Sequence, residues 1–161
     1  MCEQEKGMNV MTEENKKQLN EELSLKLFIV INRALEELRH KATEDVKRHG
    51  LNLTEFAVLE LLFHKGSQPI QVIGKKVLLA SSSITYVIDK LEGKNLITRQ
   101  ACPKDRRVIH VTLTDDGESL IKGIFPEHRQ AIANMFANLS IEEKEKAIEL
   151  VKKIGIHVEA L

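Results

Sequence analysis

The longest pattern in the chain is a run of apolar residues at helical spacing that begins at Leu23. Apolar positions recur every three or four residues as far as Val46, and a second apolar stripe runs beside them. A helix that is apolar on more than one side has to be covered on more than one side, and a second copy of so small a chain is the simplest cover. The pattern therefore predicts a dimerisation helix over residues 21–50 that ends at Gly50. Residues 1–20 lack the periodicity and are expected to form a flexible N-terminal tail, with a frayed helix start as the alternative.

Two shorter helices are predicted next. Asn52 and Glu55 have the spacing of a capping box, which indicates that a second helix begins there, although Thr54 could equally be the cap. Gln68-Pro69 is expected to open a third, short helix, because proline is favoured in the first turn.

A fourth helix is predicted from about Ser82 to Lys94, and its two faces differ. One face is apolar at positions i, i+3, i+4 and i+7 and is expected to be buried: Ile84, Val87, Ile88 and Leu91. The other carries short hydrogen-bonding groups, charged groups and one aromatic ring: Ser82, Ser83, Thr85, Tyr86, Asp89 and Lys90. Such groups suit the reading of base edges and contact with phosphates. An ordinary solvent-facing surface is the alternative, but such a surface usually carries more long charged side chains at the N-terminal end.

After Gly93 the periodicity changes from helical to alternating, which predicts two strands, over residues 97–102 and 108–113. Between them lies the segment Pro103-Lys104-Asp105-Arg106-Arg107. The hairpin therefore has a basic tip, which suits a wing that lies along the DNA backbone or enters the minor groove.

The helical pattern returns after the hairpin. Asp115 with Glu118, and Ser140 with Glu143, have the spacing of capping boxes and are expected to start helices. Pro126 lacks a backbone donor and predicts a kink or a break.

The predicted fold is mainly α with a small β-hairpin wing. A winged helix-turn-helix lobe over residues 51–114 lies between long terminal dimerisation helices, over residues 21–50 and 115–161. A homodimer of this kind would present two recognition helices to half-sites about one turn apart, in a pseudo-palindromic operator of double-stranded DNA.

A net charge of zero hides an uneven charge distribution. Residues 66–114 carry eight basic and three acidic side chains, a surplus of five, while the rest of the chain is acidic. Exposed charges are screened beyond about 10 Å, so a local surplus matters more to a phosphate than the total does. A winged-helix module that binds proteins without binding DNA is the alternative, and it would favour a neutral or acidic face.

The sequence offers no sign of an enzyme. It has no G-x-S-x-G, P-loop, H-E-x-x-H or dinucleotide motif. We expect no cofactor, although a regulator that binds flavin or haem is an alternative that absorbance would test. The six histidines are scattered, so no metal site is expected. No apolar run reaches the roughly 20 residues of a membrane span and no secretory signal is evident, so a cytoplasmic location is expected.

Three segments form a signature in their order and spacing. They are Leu53-Thr54-Glu55-Phe56-Ala57-Val58-Leu59, the helix over residues 81–91, and Asp105-Arg106-Arg107 followed by Leu113-Thr114 and Gly117. Over about residues 23–158 the chain resembles the MarR family of bacterial transcriptional regulators. Residues 24–30 and 102–107 are most similar to its MhqR-type repressors, which respond to quinones and hydroquinones.

The resemblance implies a triangular homodimer with two winged lobes, acting in the bacterial cytoplasm and at the nucleoid when bound to DNA. Arg107 would enter the minor groove, and Asp105 would brace the wing by pairing with basic groups. A small phenolic or quinone-like effector, bound near Phe28 and the second helix, would release a repressor from its operator.

The expected DNA contacts fall into three groups. The major groove would be met by Ser82, Ser83, Thr85, Tyr86 and Lys90, phosphates by Lys75, Lys76 and Lys94, and the wing contacts would come from Lys104, Arg106 and Arg107.

Cys102 supports a different mechanism. It lies beside the cationic wing, and nearby cations favour the reactive thiolate. A redox or electrophile sensor acting through Cys102 is therefore an alternative. The plainer interpretation is that Cys102 only fills the strand surface.

Overall fold

The structure is a computed structural model that describes residues 12–77 and 81–160, apart from the side chains of Ser81 and Ser82. The chain divides into two compact units, Met1–His40 and Lys41–Leu161. Helix α1 (Glu13–Lys47) provides the described part of the first unit and the beginning of the second.

Helix α1 begins at Glu13, within the segment expected to be a tail. Residues 13–20 therefore correct the expected tail and agree with the alternative of a helix start. The local sequence explains the early start without any apolar stripe. The backbone N–H of Asn15 donates to Thr12 Oγ1 at 3.3 Å, and Lys16 Nζ lies 2.7 Å from Glu13 Oε1. Acidic residues in the first turn and an i,i+3 ion pair both favour a helix start.

Within the first unit, α1 exposes many large apolar side chains. They are Leu19, Leu23, Leu25, Leu27, Phe28, Ile29, Val30, Ile31 and Leu35. Exposed apolar surface on this scale indicates a surface that is covered in an assembly.

The described residues of the second unit form five further helices and three short strands. In chain order they are α2 (Leu53–Lys65), β1 (Gln68–Pro69), α3 (Ile70–Lys76), α4 (Ser81–Gly93), β2 (Ile97–Ala101), β3 (Ile109–Leu113), α5 (Asp115–Met135) and α6 (Ile141–Glu159).

One core holds this unit together. Its fully buried side chains include Phe56 and Leu59 of α2, Ile73 of α3, Ile88 and Leu91 of α4, Ile97 of β2 and Val111 of β3. Val46 at the end of α1, and Ile121 and Ile124 of α5, belong to the same cluster. The lobe therefore draws on residues outside 51–114, and α5 supports the lobe as well as extending beyond it.

The sheet has the strand order β1-β3-β2, with both pairs antiparallel. The hairpin is the one predicted, and a short helix does follow Gln68-Pro69, with Pro69 as its N-cap. The prediction missed that Gln68 and Pro69 also form a strand. Helix α3 begins at Ile70, and Gln68 pairs with Val111. Periodicity could not reveal a two-residue strand, because it depends on a distant partner.

The helix starts largely follow the predicted capping boxes. Both reciprocal bonds are present at Asn52 with Glu55 and at Ser140 with Glu143. At α5 the cap is Thr114 and not Asp115, since the Thr114 hydroxyl accepts from the N–H of Gly117 at 3.0 Å.

Helix α5 continues through Pro126 to Met135, which excludes a break, while the alternative of a kink at Pro126 stays a prediction. Among the described residues, no helix is long and apolar enough to span a bilayer.

Candidate nucleic-acid interface

Helix α4 is held by its apolar face, which fixes the direction of its polar face. Ile84, Ile88 and Leu91 are at most 2% exposed, as the spacing predicted. The opposite side exposes Ser83, Thr85, Tyr86, Asp89 and Lys90. The side chain of Ser82, which was expected beside them, lies outside the described residues.

Tyr86 and Lys90 form a pair one turn apart on that face. Tyr86 is 61% exposed, and Lys90 Nζ lies 5.1 Å from its ring centroid. A cation over an aromatic face at this distance is attracted by the ring quadrupole. The pair therefore presents an aromatic ring and a positive charge together.

Two acidic side chains also lie on α4, and strand β2 reaches both. Arg99 Nη1 donates to Glu92 Oε2 at 2.8 Å, and Arg99 Nη2 donates to Asp89 Oδ1. Arg99 was not among the residues predicted to form the site. Its alternating pattern places it on a strand but contains no information about the acidic residues that it contacts on α4.

The wing carries a turn built by its own acidic residue. The Asp105 carboxylate accepts from the Arg107 backbone N–H at 3.0 Å and from Arg107 Nε and Nη2, each at 3.1 Å. These hydrogen bonds from the Arg107 side chain and backbone hold the pKa of Asp105 below its ordinary value. The expected brace thus pairs Asp105 with Arg107, whose side chain is 90% exposed.

Four other basic residues that were predicted to contact DNA have exposed side chains. They are Lys75 and Lys76 in the last turn of α3, and Lys104 and Arg106 in the wing loop. Cations at these places suit contact with phosphates.

Lys94 differs from that group, because its ammonium bonds within the lobe. It donates to Gly50 O at 3.1 Å and to Glu55 Oε2 at 2.9 Å, and the Glu55 side chain is only 3% exposed. Glu55 also accepts from the N–H of Asn52 to complete the cap of α2. The expected phosphate contact of Lys94 therefore competes with a nearly buried carboxylate. The capping box was visible in the sequence, but the burial of Glu55 was not.

The two ends of the hairpin are tied at its base. The Thr114 N–H donates to Leu96 O at 3.1 Å, and the Thr114 hydroxyl donates to Asn95 O at 2.6 Å. Asn95 has a φ of 57°, in the left-handed region that asparagine tolerates better than most residues. A Cβ on Gly117 would lie 1.9 Å from Leu96 O, so the helix approaches the loop more closely than any side chain allows. This close contact explains why the signature has a glycine at position 117.

A buried polar cluster lies elsewhere in the second unit. His128 Nδ1 lies 2.7 Å from Asp45 Oδ2, Arg48 also donates to Asp45, and the His128 ring lies 4.3 Å from that of Phe56. Burial alone raises the pKa of Asp45, but the hydrogen bonds from His128 and Arg48 hold it below its ordinary value. His128 therefore has a structural partner. No group of three or more potential ligands that could hold a metal ion occurs among the described residues.

Two further residues of the predicted site, Cys102 and Phe28, lie outside α4. Cys102 is half-buried, and its N–H donates to Val108 O at 2.8 Å, which closes the wing loop. Phe28 is 69% exposed on α1 in the first unit. Both assignments stay predictions.

Comparison with known proteins agrees with this geometry. The model of the MarR family matches residues 51–109. The chain is 52% identical to the HTH-type transcriptional regulator MhqR of Bacillus subtilis (strain 168), over 84% of this chain and 94% of that protein. It is 44% identical to the uncharacterized HTH-type transcriptional regulator YkoM of the same strain, over 87% of this chain and 91% of that protein.

Solved structures show the same fold. AbsC, a MarR family transcriptional regulator from Streptomyces coelicolor, superposes with a TM-score of 0.75 at 19% identity, covering 96% of this chain and all of that one (100%). A mutant of E. coli MarR complexed with operator DNA superposes with a TM-score of 0.74 at 19% identity, covering 80% of this chain and 93% of that one. With a winged lobe of this architecture and a relative at 52% identity over most of both chains, this protein belongs to the MarR family of transcriptional regulators.

Proposed function

We propose that the chain is a homodimeric repressor that binds a pseudo-palindromic operator. The observation that carries the proposal is the joint placement, in one lobe, of an exposed polar face on α4 and an exposed cationic wing. On α4 the short hydroxyl groups and the Tyr86–Lys90 pair suit the major groove. In the wing, Arg107 suits the narrower minor groove, where an arginine meets enhanced negative potential.

A homodimer follows from the apolar surface of the terminal helices. In the second unit α6 has no buried residue among those described, and it exposes Ile141, Ile148, Leu150, Val151, Ile154, Ile156 and Val158. An apolar stripe of this length is far larger than the scattered apolar residues of a monomer surface. Closed two-fold pairing would cover it and place two α4 helices for two half-sites.

Repression would be relieved by a small phenolic or quinone-like effector, as the likeness to MhqR suggests. Phe28 is our candidate for an aromatic contact with that effector. This part of the proposal rests on the resemblance, and the DNA-binding part does not depend on it. A regulator of this kind acts where the chromosome is, in the bacterial cytoplasm.

A mobility-shift assay tests the DNA-binding part. The probe is a duplex of about 30 base pairs enriched from a random library by the wild-type protein, which is long enough for two half-sites. Arg107→Ala should weaken binding by about tenfold or more without loss of the dimer, and the wild-type affinity should fall steeply with salt because counterions are released. Wild-type affinity for Arg107→Ala would exclude the wing contact, and a flat salt response would exclude phosphate contact.

Cys102 supports a second mechanism of release. Because its N–H closes the wing loop through Val108 O, a thiol modified by an oxidant or electrophile would lie where the wing loop begins and would displace that loop. This mechanism requires the thiol, whereas reversible effector binding does not.

A further inference from the structure

The polar side of α4 carries two acidic residues, which are unfavourable on a surface that binds DNA. Asp89 and Glu92 are spaced i,i+3 and therefore lie on neighbouring parts of one side of the helix. Their side chains are 56% and 40% exposed, and Asp89 is next in sequence to Lys90 of the proposed contact surface. Two carboxylates at this position would repel phosphates.

The guanidinium group of a residue on another element forms ion pairs with both carboxylates. Arg99 lies on β2, seven and ten residues from Glu92 and Asp89, and donates one Nη to each of them. Its side chain is only 27% exposed, less than either acid. A planar guanidinium can hold two acceptors at fixed positions, which an ammonium cannot do equally well.

We propose that Arg99 is a positioning residue for DNA binding, because it masks the acidic pair of α4 from the DNA phosphates. Its positive charge changes the net charge of this group from −2 for the two acids alone to −1 for the three side chains. Its hydrogen bonds hold both carboxylates toward β2. Arg99 acts through α4 and is not itself a phosphate contact. The inference rests on the proposed DNA-binding function.

If Arg99 masks the two acids, removing those acids should compensate for its loss; if Arg99 contacted a phosphate directly, it should not. Arg99→Gln should weaken binding to the library-selected duplex by about 5- to 20-fold, because two uncompensated carboxylates then face the DNA. Adding Asp89→Asn and Glu92→Gln to the same chain should restore the affinity to within about threefold of wild type, because no acid is left to mask. The slope of log affinity against log salt should be the same in the triple variant and the wild type.

Arg107→Ala is the matched control. It also removes an arginine of the lobe, but the Asp89→Asn and Glu92→Gln changes should not restore its affinity to the wild-type level. Thermal unfolding and size-exclusion chromatography check that each variant folds and dimerises. If Arg99→Gln does not fold, Arg99→Lys takes its place, because an ammonium keeps the charge and should lose less affinity, again restored by the two amide changes.

Two results would overturn the inference. One is wild-type affinity for Arg99→Gln. The other is a triple variant as weak as Arg99→Gln, with a salt slope shallower by about 0.9, the value expected when one direct phosphate contact is lost. Failure of the proposed function is distinct, because then no variant and no wild-type protein would select or bind a duplex, and the inference would fall with it.

Discussion

Replacing Gly117 by alanine should destabilise the base of the wing, where Leu96 and Thr114 meet, although the change adds only one methyl group. The added Cβ would lie 1.9 Å from Leu96 O, 2.9 Å from the Leu96 carbonyl carbon and 3.2 Å from its Cα. An ordinary contact begins near 3.4 Å, so helix and loop must separate by more than 1 Å. The carbonyl that moves is the one that accepts from the Thr114 N–H at 3.1 Å.

The magnitude follows from these two effects. Overpacking against backbone costs about 1–3 kcal/mol. Weakening the Thr114–Leu96 hydrogen bond adds about 0.5–1.5 kcal/mol. Together they predict a loss of about 2–4 kcal/mol in the free energy of unfolding. For a chain of this size that lowers Tm by roughly 5–15 °C.

The matched control is Gly123→Ala in the same helix. A Cβ on Gly123 meets nothing within 4 Å, so alanine should raise stability by about 0.5–1 kcal/mol through helix propensity. Both variants are melted by circular dichroism at equal protein concentration, since dimerisation couples Tm to concentration.

The same two variants should also differ in DNA binding. Since Leu96 precedes β2 and Thr114 follows β3, Gly117→Ala should also weaken DNA binding, and Gly123→Ala should leave it unchanged. Equal melting temperatures for Gly117→Ala and wild type would refute the argument from close approach.

Two further predictions concern buried and reactive groups. The pKa of Asp45 is held below its ordinary value of 3.8, so its ionised form stabilises the fold above about pH 4, and that stabilisation is lost as pH falls through the folded-state pKa. Asp45→Asn should therefore cost about 1–3 kcal/mol at pH 7, and urea unfolding should show the difference shrinking below pH 4; a difference that stays constant down to pH 2 would contradict this. Cys102→Ser should keep the release of DNA by quinone in a shift assay, because reversible effector binding needs no thiol, and loss of the response would favour the sensor mechanism instead.

The elements that sequence periodicity predicted best are those whose faces contact the core. Ile84, Ile88 and Leu91 had to be buried together, and their burial set the exposure of Tyr86 and Lys90. Local hydrogen-bond patterns were equally visible, because a capping box depends on residues three apart.

Elements stabilised by local propensity were harder to place. The start of α1 at Glu13 follows from its acidic first turn and an ion pair, with no apolar stripe to mark it. At α5, Thr114 and Asp115 are adjacent possible caps, and the contacts of Thr114 with Asn95 and Leu96 decide between them. Those contacts join residues far apart in sequence.

Pairs of charged residues were the least predictable part of the site. Lys94 with Glu55 and Arg99 with Asp89 join different elements, and a count of basic residues treats all such cations alike. The surplus of five charges over residues 66–114 therefore does not reveal which cations are already paired within the lobe. His128 with Asp45 is a similar case, separated by 83 positions in the chain.

The two-residue strand β1 has a mechanical consequence. It joins the segment between α2 and α3 to β3, and Ser67 Oγ lies 3.0 Å from Thr112 Oγ1 beside that pairing. Both strands of the wing are thus attached to the helix-turn-helix, β2 through α4 and β3 through the segment before α3. Because of these two attachments, we expect a signal that frees the operator to move the wing and α4 together.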